Sequence, residues 1–244
     1  MVLLAWAKPW RQTWTRRRLG WACAFGVALG AMNVSFYVAI DHLPLGTAVA
    51  IEFVGPVAVA ALTGRGWRER VAIGLAFAGV VLLAGVTLTV GGEGVVVGLV
   101  AIGLAALCWA GYILLGQRVA LGGQGMAGLA VAMAAGAVVF APVLAVPAGA
   151  VFGGWDLVGT VVVVALLSSV VPYALEQNVL RRVTASVFAI LLALLPASAA
   201  VVGALALRQW PHPLELVGLV AVSGAIALTA QRRDLPAEVV AESG

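Results

Sequence analysis

Charge is scarce in this chain. Of its 244 residues only 10% are Asp, Glu, Lys or Arg, where a soluble domain carries roughly a quarter. Apolar residues make up 63%, and the mean hydropathy is +1.11. So few ionic groups cannot solvate an ordinary globular surface, which excludes that class. Also missing are the alternating segments of about 10 residues that a membrane β-barrel requires. The two cysteines, Cys23 and Cys108, fall inside apolar stretches and are read as small packing residues rather than as a disulfide or metal pair. His42 and His212 have no acidic or thiol neighbours at ligand spacing, and "GGEG" and "GGQG" are turns, not phosphate-cradling loops. No Ser, His and Asp set lies at a common depth. The chain is therefore not expected to be an enzyme, to hold a metal or to bind nucleic acid.

What is present is a series of apolar runs, each long enough to cross a hydrocarbon core about 30 Å thick as a helix. They lie at about Gly20 to Ile40, Pro44 to Leu62, Val71 to Val90, Val95 to Leu115, Ala127 to Pro147, Leu157 to Glu176, Thr184 to Leu207 and Leu214 to Ala230. The expected fold class is an all-α polytopic membrane protein with eight transmembrane helices. The connections are short and leave no room for an extramembrane domain.

Numbering alternate sides of these spans sorts the basic residues. One side collects Lys8, Arg11, Arg16, Arg17, Arg18, Arg65, Arg68, Arg70, Arg118, Arg181, Arg182, Arg232 and Arg233, and the other has only Arg208. Basic loops are retained in the cytoplasm, so both ends are predicted to be cytoplasmic. One helix too many or too few would mix the two sets. The ends read as a fragmentary helix "MVLLAWA" with a basic segment (1–19) and a polar, disordered tail (232–244).

Shifting the sequence by 140 places lays Pro56 on Pro196 and Ala60 on Ala200, with Pro44 to Leu62 over Thr184 to Val202. The two segments are five spans apart and so cross in opposite directions, the arrangement of an inverted repeat. In transporters such repeats put the substrate site at their interface, near mid-bilayer.

Polar residues inside the spans are the candidate site. Glu52 sits near the centre of the second span, where a charge costs several kcal/mol unless it faces water or a partner. Pro56, four residues on, has no N–H, so the Glu52 carbonyl loses its helical hydrogen bond. Carboxylate and free carbonyl then share one depth and suit a proton, a cation or a substrate amine. The competing reading makes Glu52 a structural partner for another buried polar group. Asn33 and Tyr37 share a face of the first span, as pore lining or as interhelical hydrogen-bonding groups. Trp109 and Tyr112, three apart, read as cavity lining or as interfacial anchors. In "SSVVPYALEQN", Ser169, Tyr173 and Glu176 follow one stripe, and Glu176 stands near Arg181 and Arg182, which could pair with it.

Laid out this way, "GAMNVSFYVAIDHLPLGTAVAIEFVGPVAVAAL" from Gly30 to Leu62, with "CWAGYILLGQR" and "SSVVPYALEQNVLRRV" further on, resembles the EamA-type branch of the drug/metabolite transporter superfamily, which includes bacterial exporters of threonine and homoserine. The resemblance runs from about Ala7 to Ala230. It implies a ten-helix bundle of two inverted five-helix halves, of which residues 20–92 supply three spans and residues 93–231 five. The first two family helices are absent, "MVLLAWA" resembling the end of the second; a late start codon, a truncated gene or an eight-span variant would each give this pattern. The family's motif residues correspond to Asn33, Tyr37, Glu52, Pro56, Trp109, Tyr112, Tyr173 and Glu176. Two positions depart from the family, which carries acidic residues where this chain has Leu195 and, near the end of the same helix, Gln209.

The resemblance implies export of amino acids or related small metabolites across the bacterial cytoplasmic membrane. The proton gradient would supply the energy, and no cofactor is expected. Efflux of hydrophobic drugs is the alternative among transport functions, and a truncated, non-transporting assembly partner is the alternative from another class. The expected partners are the lipid bilayer and a small-molecule substrate, with a homodimer left open.

Overall fold

The computed structural model describes residues 10, 12, 14–63, 66–90, 92–121, 125–151, 155–165, 167 and 193–230. The helices among them are α1 (Arg16–Ile40), α2 (Leu45–Glu52), α3 (Val54–Thr63), α4 (Trp67–Val90), α5 (Val95–Leu121), α6 (Gly125–Val151), α7 (Trp155–Ala165), α8 (Leu195–Leu207) and α9 (Pro213–Ala230). No strand occurs among the described residues.

Several helices outrun the apolar segments that nucleate them, because backbone hydrogen bonding continues into the headgroup layer where polar side chains are solvated. Thr15 caps α1, its hydroxyl accepting from the Arg18 N–H at 3.3 Å, so Arg16, Arg17 and Arg18 are wound into the first turn. α5 likewise carries Arg118 in its last turn. Among the described residues three helices, over Arg16–Ile40, Trp67–Thr89 and Val95–Gly116, are long and apolar enough to cross a membrane. The expected second span is not one helix but two, α2 of 8 residues and α3 of 10, broken at Phe53. Of the expected sixth span 166 and 168–176, and of the seventh 184–192, lie outside the described residues.

Side-chain neighbours give the direction of each helix relative to the next. Phe25 of α1 stacks on Tyr112 of α5, whereas Val34 and Val38, further along α1, line a groove with Val97 and Val100, earlier on α5. α1 and α5 are therefore antiparallel. Gly26 lies against Ala132, and Gly30 against Phe140, so α6 runs parallel to α1. Leu43 lies near Gly98 and Gly55 near Ala106, which makes the α2–α3 segment parallel to α5. Gly79 meets Val222 while Leu83 meets Gly218, an antiparallel α4 and α9. Leu45 meets Gly203 and Gly46 meets Ala200, an antiparallel α2 and α8.

Each of these directions agrees with the alternation expected of the spans to which the described helices belong. α6 shares the direction of α1, and so does α8, since it opposes α2.

The helices pack through small residues, as lipid-embedded bundles do. No methyl group could be added at Gly26, where the Ala132 carbonyl of α6 already occupies the space. The main core joins Leu83, Ile102 and Val222, all fully buried, to Ala48, Ile51, Phe53 and Val57, and a second cluster gathers Phe25, Val119 and Ala132. Outward, Phe77, Leu107, Leu205 and Val220 are each at least 70% exposed. Water would not tolerate so broad an apolar exterior. Hydrocarbon would, and the fold is that of an all-helical membrane protein.

Candidate functional site

The site is built around the break between α2 and α3. Pro56 cannot donate to the Glu52 carbonyl, and its ring crowds that oxygen. The chain passes through Phe53 (φ −63°, ψ −13°) without reversing. The Phe53 N–H donates to the Val49 carbonyl at 3.2 Å, and the Val57 N–H to the Phe53 carbonyl at 3.1 Å. Glu52 thus ends α2 with a carbonyl that has no N–H four residues ahead. Its side chain is half-buried, and among the described residues it makes no hydrogen bond or ion pair.

α5 holds this break in place. Gly55 lies so close to the Ala106 carbonyl and the Ala110 amide that any side chain there would collide with the α5 backbone. One turn of α5 further on, Trp109 meets Phe53 edge to face, with ring centroids 4.8 Å apart and planes at 64°. Phe53 is 4% exposed, while Trp109 and Pro56 are half-buried. Trp109 is therefore packed at the break through Phe53, the residue that follows Glu52 in the chain.

The other sequence candidates are placed differently. Tyr112 shares a helical face with Trp109 by spacing, yet it stacks on Phe25 of α1 at 4.7 Å and 17°, in the second cluster. Asn33 does not bond across helices: its Nδ2 donates to the Leu29 carbonyl of its own helix at 2.8 Å. Asn33 and the 60% exposed Tyr37 face away from the side of α1 that buries Ser35 and Ala39. Among the described residues no hydrogen bond or ring contact joins either to Glu52 or Trp109. Tyr173 and Glu176 lie outside the described residues.

Sequence reasoning missed three contributors. Phe53 is the stacking partner of Trp109, and nothing local distinguishes it from other apolar residues. Gln209 reaches across the bundle, its Oε1 accepting from the Leu45 N–H at 3.0 Å. Glu215, 7% exposed, accepts from the His212 N–H through Oε2 at 2.8 Å and so caps α9. The spacing of His212 and Glu215 is that of a capping box, a signal legible in the sequence. No group of three His, Cys, Asp or Glu that could hold a metal occurs among the described residues.

A half-buried carboxylate beside a backbone break, with no hydrogen bond or ion pair among the described residues, can bind a proton or a cationic group in low dielectric. Comparisons with known proteins fit this picture. The EamA-like transporter family matches residues 96–231. The threonine/homoserine exporter RhtA of Escherichia coli (strain K12) is 36% identical over 225 residues, which are 92% of this chain and 76% of that protein. RhtA of Salmonella typhimurium (strain LT2) is 35% identical with the same coverage. No solved structure matches the chain. These relatives are transporters, not enzymes. The chain belongs to the EamA-like transporter family, within the drug/metabolite transporter superfamily.

Proposed function

We propose that this protein is a secondary exporter of threonine- and homoserine-like amino acids, or of closely related small metabolites, at the bacterial cytoplasmic membrane. The exported amino acid exchanges for protons at Glu52. The observation that carries this reading is the position of Glu52: half-buried at a helix break, with no hydrogen bond or ion pair among the described residues. A carboxylate left in that state is suited to alternate between a proton and an ammonium group. The identity to RhtA supports the substrate class. The basic residues gathered on one side support cytoplasmic ends.

Mechanistically, proton and substrate amine compete for one carboxylate. A proton arriving from the outer side displaces the amine; return of the emptied site to the inner side releases the proton and admits the next substrate. The free Glu52 carbonyl offers a second acceptor to the ammonium, and the Trp109 and Phe53 rings keep the surroundings dry. Two inverted halves of a ten-helix architecture would provide the alternating access. Their support here is the antiparallel α2 and α8, and a second helix interruption at Leu194, two residues before Pro196.

Pro56→Ala tests the break. Alanine restores a donor to the Glu52 carbonyl, so the segment should straighten, with protein abundance unchanged and the initial export rate reduced by about tenfold, the worth of roughly one hydrogen bond. An unchanged rate would remove the break from the mechanism. Substrate class is tested by expression in cells growing on inhibitory homoserine or a cationic dye. Raised homoserine tolerance is the expected result. Dye tolerance alone would favour drug efflux, and neither would favour the assembly-partner reading.

A further inference from the structure

α2 has no cap of its own. It starts after Pro44, which offers no side-chain oxygen, and its first N–H, at Leu45, is satisfied instead by the Gln209 side chain from 164 residues away. The segment that presents Gln209 is held at both ends. Arg208 closes α8 in the left-handed region (φ 57°, ψ 29°), and the Gln209 N–H turns back to the Gly203 carbonyl at 2.9 Å. Beyond it, the His212–Glu215 bond fixes the start of α9. A side-chain acceptor on so constrained a support is aimed, not incidental.

Around this contact the start of α2 and the end of α8 close on each other. A methyl group at Gly46 would lie 2.7 Å from the Ala200 Cβ, so the two helices meet only because position 46 has no side chain. Between them remains a cavity of about 10 Å³, lined by Thr47, Gly203, Gln209, Glu215 and Leu219 among others, which is the space of one water molecule. Thr47 is 2% exposed, and its hydroxyl has no hydrogen bond among the described residues. Buried hydroxyls are normally paired. A polar lining with spare hydrogen-bonding capacity, at a seam of small residues, suits a surface that is wetted when the helices part.

The charge asymmetry puts this seam at the extracytoplasmic end. Glu52 lies at the other end of α2, seven residues and about 10 Å deeper. We propose that the α2–α8 seam is the outer gate above Glu52 and that Gln209 is its latch, a positioning residue that holds α2, and through it Glu52, in the closed arrangement. This inference deepens the exporter reading by naming the outer gate of that same site.

Thiol labelling tests it without any substrate. In a Cys23→Ser, Cys108→Ser background, Thr47→Cys should react slowly with a membrane-impermeant maleimide added from the outer face. Adding Gln209→Leu, which strands the Leu45 N–H, should raise the rate by about tenfold. Gln209→Glu keeps an acceptor oxygen at the same reach and should stay within about twofold of the parent. Gln209→Asn keeps the amide but is one methylene too short, so it should label faster than Gln209→Glu even if the leucine variant fails to accumulate. Gly46→Ala, which alters no hydrogen-bonding group, should speed labelling as well. Equal rates throughout, or a glutamate variant as reactive as the asparagine one, would overturn the latch. Because labelling needs no transport, loss of the gate with gradient-driven uptake intact discards this proposal alone. A latch-dependent rate with no uptake discards the exporter reading alone.

Discussion

Glu52→Gln is expected to reach the membrane at normal abundance and to export threonine and homoserine about a hundredfold more slowly than the parent. The magnitude follows from losing a charge-assisted contact to a substrate amine in a half-buried site, roughly 3 kcal/mol at about 1.4 kcal/mol per tenfold. Glutamine keeps the volume and polarity of glutamate, so the local packing is preserved; only the titrating charge is removed. Glu52→Asp retains the charge one methylene short of its place and should fall between the two. Counterflow in preloaded vesicles separates the steps. If the loss is in proton exchange, Glu52→Gln should still exchange labelled for unlabelled substrate in proportion to whatever binding remains. A Glu52→Gln protein with parental rates would reduce Glu52 to a structural residue.

The second large effect is expected at Gly26. Gly26→Leu must push α1 off the Ala132 carbonyl and Gly136 of α6, because backbone atoms cannot step aside as a flexible side chain can. A cost of about 3 kcal/mol or more is expected from such overpacking, visible as a loss of folded protein in detergent and a melting temperature several degrees lower. Gly103→Ala is the control. Nothing lies within 4 Å of a side chain there, so alanine should be neutral or stabilise α5 by up to about 1 kcal/mol through helix propensity. Should both variants behave alike, the close approach of α1 and α6 would be wrong.

These two glycines show what the sequence could and could not disclose. Both belong to the small-residue background of an apolar chain, and no local pattern tells the one pressed against a carbonyl from the one in open space. The difference is set by Ala132, more than a hundred positions from Gly26. The break at Phe53 was legible because its cause is local: a proline without an N–H, four residues after a carboxylate. Relative helix directions were legible too: the described helices that pack together run as the expected alternation of spans requires.

Side-chain partners were the illegible part. Trp109 and Tyr112 are three residues apart, which leaves about 60° between them around the helix axis. That angle is enough to send one ring to Phe53 and the other to Phe25. Asn33 had two outcomes by spacing, a hydrogen bond across the bundle or pore lining; its amide bonds back to Leu29 on its own helix instead of to a neighbouring one. Gln209 looked like the loss of an acidic residue; its contact with Leu45 shows an acceptor still at work at a helix start. The relative direction of packed helices follows from local patterns, while the pairing of faces depended on residues far apart in the chain.

The most direct test of proton-coupled export through Glu52 uses everted membrane vesicles containing the protein, labelled threonine or homoserine outside, and an imposed inside-acid gradient. The account predicts uptake that rises with the gradient, collapses when an ionophore dissipates it, and falls about a hundredfold in Glu52→Gln. Uptake indifferent to the gradient, or equal in the parent and Glu52→Gln, would contradict it.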